Sequence, residues 1–165
     1  MRRALRHLFS GSTARRAFPR ATLDAIQHAV AASEHTHLGE ICFAVESALP
    51  SAAALRGVSA RERAHAVFSR LRVWNTAHNS GVLVYVLMAD QAIEIVADRG
   101  IAARVDAHEW TGICATMRKH FAAGDYHGGT LAGIAAIGTL LARHFPADGR
   151  DNPDELPDRP VLPGR

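Results

Sequence analysis

The residues best suited to chemistry are the polar side chains of a short loop before the central predicted strand. The loop, residues 74–81, reads Trp-Asn-Thr-Ala-His-Asn-Ser-Gly and supplies Asn75 and Asn79. The two apolar segments that follow are expected to pair as a hairpin, which brings the loop beside Asp98; Asp106 comes a few residues later. Because Ca²⁺ and Mg²⁺ prefer amide, carboxylate and carbonyl oxygens, we predict a divalent-cation site formed by Asn75, Asn79, Asp98 and Asp106.

A structural interpretation of the same residues carries equal weight on chemistry alone. In that interpretation Asp106 caps a helix, and Asn79 and Ser80 form a turn. Asp98 forms an ion pair with Arg99 or Arg104. Asp90, at the opposite end of the hairpin, is a poorer candidate for a metal ligand.

Other motifs fail on spacing or have a simpler explanation. Cys114 and Arg118 are too close together for the phosphate loop of a cysteine phosphatase, and His108 lacks the second histidine of a zincin. The helix start at residues 127–130, His-Gly-Gly-Thr, could offer backbone N–H groups to a phosphate. Close helix packing explains its glycines better.

The charge distribution excludes a nucleic-acid-binding domain. The 165 residues hold 19 Lys+Arg and 16 Asp+Glu, a formal charge of +3, but residues 1–20 alone hold six arginines and no acid. The part that should fold is therefore nearly neutral, whereas nucleic-acid binders spread basic residues over a folded face. The two cysteines have no metal spacing, so we expect buried thiols.

The basic first residues suggest a second kind of contact. Residues 1–20 lack the apolar core of a secretory signal, so we expect a cytoplasmic protein. Arginines alternating with Leu5, Leu8 and Phe9 could hold residues 2–20 against the inner face of a membrane. A solvated, flexible head over residues 1–18 is the favoured interpretation.

Hydrophobic periodicity predicts a single α/β domain over residues 19–146. The order is helix, strand, helix, strand, strand, helix, helix, in the ranges 19–35, 37–46, 59–72, 82–88, 93–97, 106–124 and 125–145. We expect a three-layer α/β/α sandwich with a short mixed sheet, in which the first two strands are parallel across a crossover helix. Residues 147–165 form an acidic, proline-spaced tail, expected to be extended and to meet an unidentified protein partner.

Several short motifs in a fixed order resemble the TPM-domain family over residues 20–146. They are Gly81-Val-Leu-Val-Tyr85, an Ala-Asp turn, Ile95-Val-Ala-Asp-Arg-Gly-Ile101, Trp110 with Met117, Phe121-x-x-Gly-Asp-Tyr126 and a glycine-bearing last helix. The tail at residues 152–161 is similar to that of a bacterial subgroup of single-domain members.

The resemblance implies an α/β/α fold and a cluster of polar and acidic loop residues that binds divalent cations in some members. It also implies acid phosphatase activity, reported for a thylakoid-lumen relative. The loop departs from the family pattern, because Asn75 and Asn79 stand where acids are usual. Fewer carboxylates weaken a cation site.

Two functional hypotheses follow from these observations. The preferred one is a cation-binding accessory or interaction module without strong catalysis. The alternative is a metal-assisted acid phosphatase, with Arg99 or Arg104 stabilising the transferred group and His78 as the only base in the loop.

Overall fold

The computed structural model describes residues 3, 6–7, 10, 12–149 and 155–163. Its helices and strands lie close to the predicted ranges. The helices are α1 (Thr13–Ala17), α2 (Arg20–Glu34), α3 (Ser51–Leu55), α4 (Ala60–Arg70), α5 (Arg99–Ala102), α6 (Ala107–Ala122) and α7 (Tyr126–His144). The strands are β1 (Glu40–Glu46), β2 (Gly81–Leu87) and β3 (Ala92–Ala97), with a 3₁₀ turn at Met88–Asp90. The short helices α1, α3 and α5 are additions to the predicted order.

The sheet has the predicted mixed topology, in the order β1-β2-β3. β1 and β2 are parallel, with Glu40 opposite Gly81, and helices α3 and α4 lie in the crossover between them. β2 and β3 are antiparallel, with Val82 opposite Ala97. Gln91 closes this hairpin in the left-handed conformation, at φ 51°. The loop that precedes β2 and the chain that follows β3 therefore meet at one end of the sheet.

Helices cover both faces of the sheet, which confirms the three-layer architecture. One face packs against α1, α2, α5, α6 and α7, through core residues such as Phe43, Val84 and Ile95. The other packs against α3 and α4, through Ala44, Leu83 and Tyr85. The helix caps predicted from the sequence are present, including the complete capping box between Ser59 and Glu62.

A charged network lies under α4, at the end of β1. Glu46, at the end of β1, is 3% exposed. Its Oε2 accepts hydrogen bonds from Arg63 Nε (2.8 Å) and from the Tyr85 hydroxyl (2.6 Å), and Arg63 also reaches Oε1. The carboxylate can be buried because Arg63 neutralises its charge and the Tyr85 hydroxyl adds a hydrogen bond.

The described residues of the head contact the domain rather than standing apart from it. Ala14 and Phe18 are 2% and 1% exposed, within the core. Arg3 donates to both oxygens of Asp90 in the β2–β3 hairpin, with its shortest distance 2.7 Å. His7 Nδ1 accepts the backbone N–H of Leu49 at 3.0 Å. Apolar residues at 14 and 18 explain this docking; the membrane contact through residues 2–20 stays a prediction.

The described part of the tail packs along the edge of β1. Leu156 is 6% exposed in the core beneath α4. Val161 exchanges two backbone hydrogen bonds with β1, to Phe43 (2.8 Å) and Val45 (3.0 Å). Val161 thereby shields part of a strand edge. No helix among the described residues has the length and apolar character needed to cross a bilayer.

Candidate functional site

The loop before β2 is a self-bonded turn that closes against the end of β3. The Thr76 carbonyl accepts the N–H of Asn79 (3.2 Å), and Thr76 Oγ1 accepts the N–H of Ser80 (3.0 Å). Asn79 adopts the left-handed conformation at φ 52°, which asparagine tolerates better than most residues. The N–H of Asp98 then donates to the Gly81 carbonyl at 2.8 Å. Asn79 and Asp98 are therefore brought to the same end of the sheet, as predicted.

Two glycines permit this close approach. A Cβ on Gly81 would lie 2.0 Å from the Val73 carbonyl oxygen, so the chain can enter β2 here only without a side chain. A Cβ on Gly100 would lie 2.5 Å from the carbonyl oxygen of Asn79 and 2.8 Å from that of His78. Gly100 thus lets two loop carbonyls lie against the start of α5.

Asp98 is a largely buried carboxylate at this end of the sheet. It is 8% exposed and caps α5, where its Oδ1 accepts the Arg99 N–H at 2.7 Å. Its second oxygen, Oδ2, is buried without a hydrogen-bond partner among the described residues. A buried carboxylate oxygen without a partner is costly, and a ligand would remove that cost.

Asn79 is already engaged through its side chain. Its Oδ1 accepts a hydrogen bond from Arg99 Nε at 3.0 Å, and its backbone carbonyl accepts the N–H groups of Gly100 and Ile101. Arg99 therefore pairs with Asn79 rather than with the Asp98 carboxylate. The turn role proposed for Asn79 is present, and its amide oxygen could join a cation only after Arg99 releases it.

The two remaining predicted ligands lie on the surface with other contacts. Asn75 is exposed, and its N–H donates to the Arg72 carbonyl at 2.8 Å. Asp106 caps α6 by accepting the His108 N–H at 3.1 Å, and it lies 2.7 Å from His108 Nδ1. The hydrogen bonds from His108 lower the pKa of Asp106. The helix-cap interpretation of Asp106 is correct, and its membership of a cation site stays a prediction.

The side chains named for phosphatase chemistry are spread apart. His78 is exposed in the loop. Arg104 donates to the His144 carbonyl at 2.7 Å and stacks on the Phe145 ring, 4.4 Å from its centre, at the end of α7. Among the described residues, no hydrogen bond or ion pair joins it to Asp98 or to the loop. Of the two predicted arginines, Arg99 alone lies at the candidate site.

Sequence reasoning missed two residues that shape this site, Thr76 and Glu155, and it placed Ser80 in the turn where the structure has it. Thr76 and Ser80 are 8% and 0% exposed and hold the turn together, and the Ser80 hydroxyl donates to the Leu38 carbonyl at 3.2 Å. Glu155, from the tail, accepts the N–H of Ala77 at 2.9 Å and so brings a second carboxylate to the loop. A threonine four residues before a serine is only a weak signal of a turn. No pattern in the sequence near Glu155 indicates that it contacts the loop.

The oxygens at this end of the sheet suit a hard cation better than a transition metal. They include the carboxylates of Asp98 and Glu155, the amide of Asn79 and loop backbone carbonyls, the ligand types of Ca²⁺ and Mg²⁺. The part of the chain that the structure describes holds no group of three or more His, Cys, Asp or Glu side chains arranged for a metal. Any cation here would therefore rely on neutral oxygens and water for most of its shell.

Comparisons with known proteins agree with this architecture. A family model described as the TPM domain matches residues 13–140. The NMR structure of the BA42 protein from the psychrophilic bacterium Bizionia argentinensis is 29% identical, with a TM-score of 0.76 over 87% of this chain and 93% of that one. A search of curated proteins found no match.

Proposed function

This chain belongs to the TPM domain family, and from that premise we propose that it binds a divalent cation, Ca²⁺ or Mg²⁺, between the loop of residues 74–81 and the start of α5. Asp98 is the anchor of the proposed site, with Asn79, loop carbonyls and water completing the shell. In this role the protein is an accessory or interaction module without strong catalysis.

The observation that carries the proposal is the buried, unpartnered Oδ2 of Asp98. A fixed, buried carboxylate oxygen is prepared for a cation, because its desolvation has already occurred on folding. Calcium affinity follows the number of charged ligands and the rigidity of the site. With one buried carboxylate we expect weak binding, with a dissociation constant of about 10⁻⁴ to 10⁻³ M.

The test is an amide NMR titration with Ca²⁺, Mg²⁺, Mn²⁺ and Zn²⁺, using Asp98→Asn as the disabling variant. Saturable shifts at residues 76–81 and 98–101 are expected with Ca²⁺ or Mg²⁺, and they should disappear in Asp98→Asn. Asp24→Asn is the matched control, since Asp24 is a surface carboxylate on α2 that pairs only loosely with Arg20, at 3.8 Å. Equal shifts in Asp98→Asn and wild type would contradict the proposal.

Asp106→Asn decides whether Asp106 is a ligand or only a cap. Asparagine is as good a helix cap as aspartate, so the variant keeps the start of α6. Weaker cation binding in this variant would place Asp106 in the coordination shell. Unchanged binding would reduce the site to Asp98 and its neutral neighbours.

The phosphatase hypothesis stays a prediction with its own assay. It requires metal-dependent hydrolysis of an aryl phosphate such as p-nitrophenyl phosphate, and loss of activity in His78→Ala. Phosphate release that responds to neither metal nor this variant would contradict it, and leave the cation proposal unaffected.

A further inference from the structure

A separate cleft lies at the other end of the sheet from Asp98. Its volume is about 920 Å³, and its walls come from α1, the hairpin after β2, the end of α6 and the start of α7. The strands β1 and β2 are parallel, and their carboxyl ends point to this side. In open α/β sheets, ligands bind outside the carboxyl ends of the strands. The volume is typical of a small-molecule site.

Two guanidinium groups line this cleft with no partner of their own. Arg16 on α1 and Arg118 on α6 are exposed, and neither guanidinium group makes a hydrogen bond or an ion pair with another described residue. Asp125 is the acid among the described lining residues, and it is already engaged. Its oxygens accept the Gly128 N–H (2.8 Å) and lie 2.7 Å from His120 Nδ1. The cleft therefore has a surplus of positive charge.

A largely buried threonine also lines the cleft. Thr22, on α2, is only 6% exposed. Its hydroxyl can donate a hydrogen bond to a ligand oxygen in the cleft. The amino end of the 19-residue helix α7 opens onto the same cleft, but the Asp125 carboxylate already caps it, so the two arginines supply the positive charge for an anion.

The rest of the lining is apolar. Met88 and Ile93 from the hairpin form the floor, and Phe121 from α6 forms a wall. Phe121 is fixed by ring contacts with Phe18 and Tyr126, with centres 6.0 and 5.0 Å apart. A rigid apolar wall beside unpaired guanidinium groups is complementary to a molecule that is apolar at one end and anionic at the other.

We propose that this cleft binds a small organic anion, a carboxylate or phosphate monoester with an apolar chain. The anionic group of the ligand pairs with Arg16 and Arg118 and accepts a hydrogen bond from the Thr22 hydroxyl. The apolar chain of the ligand lies against Met88 and Phe121. The site is independent of the cation site, because the two occupy opposite ends of the sheet.

The test is a calorimetric and amide NMR titration of the full chain with octanoate and octyl phosphate below their micelle concentrations. Saturable binding of at least one anion is expected, with amide shifts at Thr22, Met88 and Tyr126. Affinity should rise about fourfold for each methylene added between hexanoate and octanoate. Octanol, which lacks the charge, should bind at least about tenfold more weakly. No saturable binding of either anion, or octanol binding as tightly, would overturn the proposal.

Matched variants locate the binding. Arg16→Gln and Arg118→Gln should each weaken octanoate or octyl phosphate about tenfold, because each removes a charge-assisted hydrogen bond. Thr22→Val, which preserves side-chain shape, should weaken it about fivefold. Arg70→Gln is the control, since Arg70 is an exposed arginine on α4, across the sheet. Arg16→Gln and Arg118→Gln variants that keep their fold and bind like wild type would overturn the proposal.

Discussion

Replacing Arg63 by methionine tests the buried charge network beneath α4. The variant leaves the Glu46 carboxylate, 3% exposed, with the Tyr85 hydroxyl as its remaining partner in the network. Breaking a buried ion pair by removing one partner costs about 3 to 5 kcal/mol. We expect the free energy of unfolding to fall by about 3 kcal/mol, at the lower end because the Arg63 side chain is 16% exposed.

The same reasoning predicts smaller losses when the charge stays paired or is removed altogether. Tyr85→Phe removes one hydrogen bond to a charged group and should cost about 1.5 to 2 kcal/mol. The triple variant Glu46→Leu, Arg63→Met, Tyr85→Phe should be within about 1 kcal/mol of wild type, because no buried charge is left without a partner. Arg70→Met, on the exposed side of the same helix, should change stability by less than about 0.5 kcal/mol.

The assay is urea unfolding at pH 7, followed by circular dichroism, with the slope checked for two-state behaviour. A loss below about 1 kcal/mol for Arg63→Met, or a triple variant less stable than Arg63→Met, would refute the reasoning. Tyr85 adds a pH signature: burial and the Glu46 charge raise its pKa far above the ordinary 10.0. The contribution of Tyr85 to the free energy of unfolding is therefore complete below pH 10 and is lost as the pH rises above it. The Tyr85→Phe variant has no such contribution, so its stability should fall less at alkaline pH than that of wild type.

Three further predictions concern packing and charge elsewhere in the chain. Gly129→Ala should destabilise the protein by about 1 to 3 kcal/mol, because its Cβ would lie 2.6 Å from a side-chain carbon of α6. At Gly112 a Cβ would meet nothing within 4 Å, so Gly112→Ala should stabilise the protein by up to about 1 kcal/mol. Thermal unfolding of both variants and wild type measures the two changes. Leu156→Ala should cost about 2 kcal/mol in urea unfolding, and Leu162→Ala, at a site 43% exposed, should cost little. Burial alone would raise the pKa of Asp90, but Arg3, His7 and Arg6 outweigh it, and the net pKa lies below the ordinary value. The ionised Asp90 therefore stabilises the fold, and this contribution is lost as the pH falls through its pKa. Asp90→Asn lacks that contribution, so its Tm should decline less steeply than that of wild type from pH 6 to pH 3. An equal decline of Tm between pH 6 and pH 3 in Asp90→Asn and wild type would contradict this last expectation.

Much of the fold could be predicted because its signals are local. The period of Leu23, Ile26 and Val30 predicts α2, and the capping box at Ser59 predicts the start of α4, as observed. Both rest on contacts within a turn or two of the chain. The three short helices escaped prediction because each has five residues or fewer, too short for a periodic pattern.

The candidate site was predicted in part. The hairpin argument brought Asn79 and Asp98 to one end of the sheet, since antiparallel pairing alone decides that proximity. It could not show that Arg99 would take the side-chain oxygen of Asn79. Nor could it show that Glu155 would reach Ala77, 78 residues away in the chain. These contacts depend on how the tail and α5 pack.

The sequence by itself determined the longer helices and the strands, their order and the three-layer architecture, because hydrophobic period, caps and turn residues act over a few residues. Tertiary structure alone decided which polar groups lose water and which find partners. Burial of Glu46 beside Arg63, of Asp98 with one oxygen unpaired, and of Thr22 in a cleft follows from layers that meet only after folding. Desolvation depends on all surrounding atoms, so no local pattern in the chain encodes it.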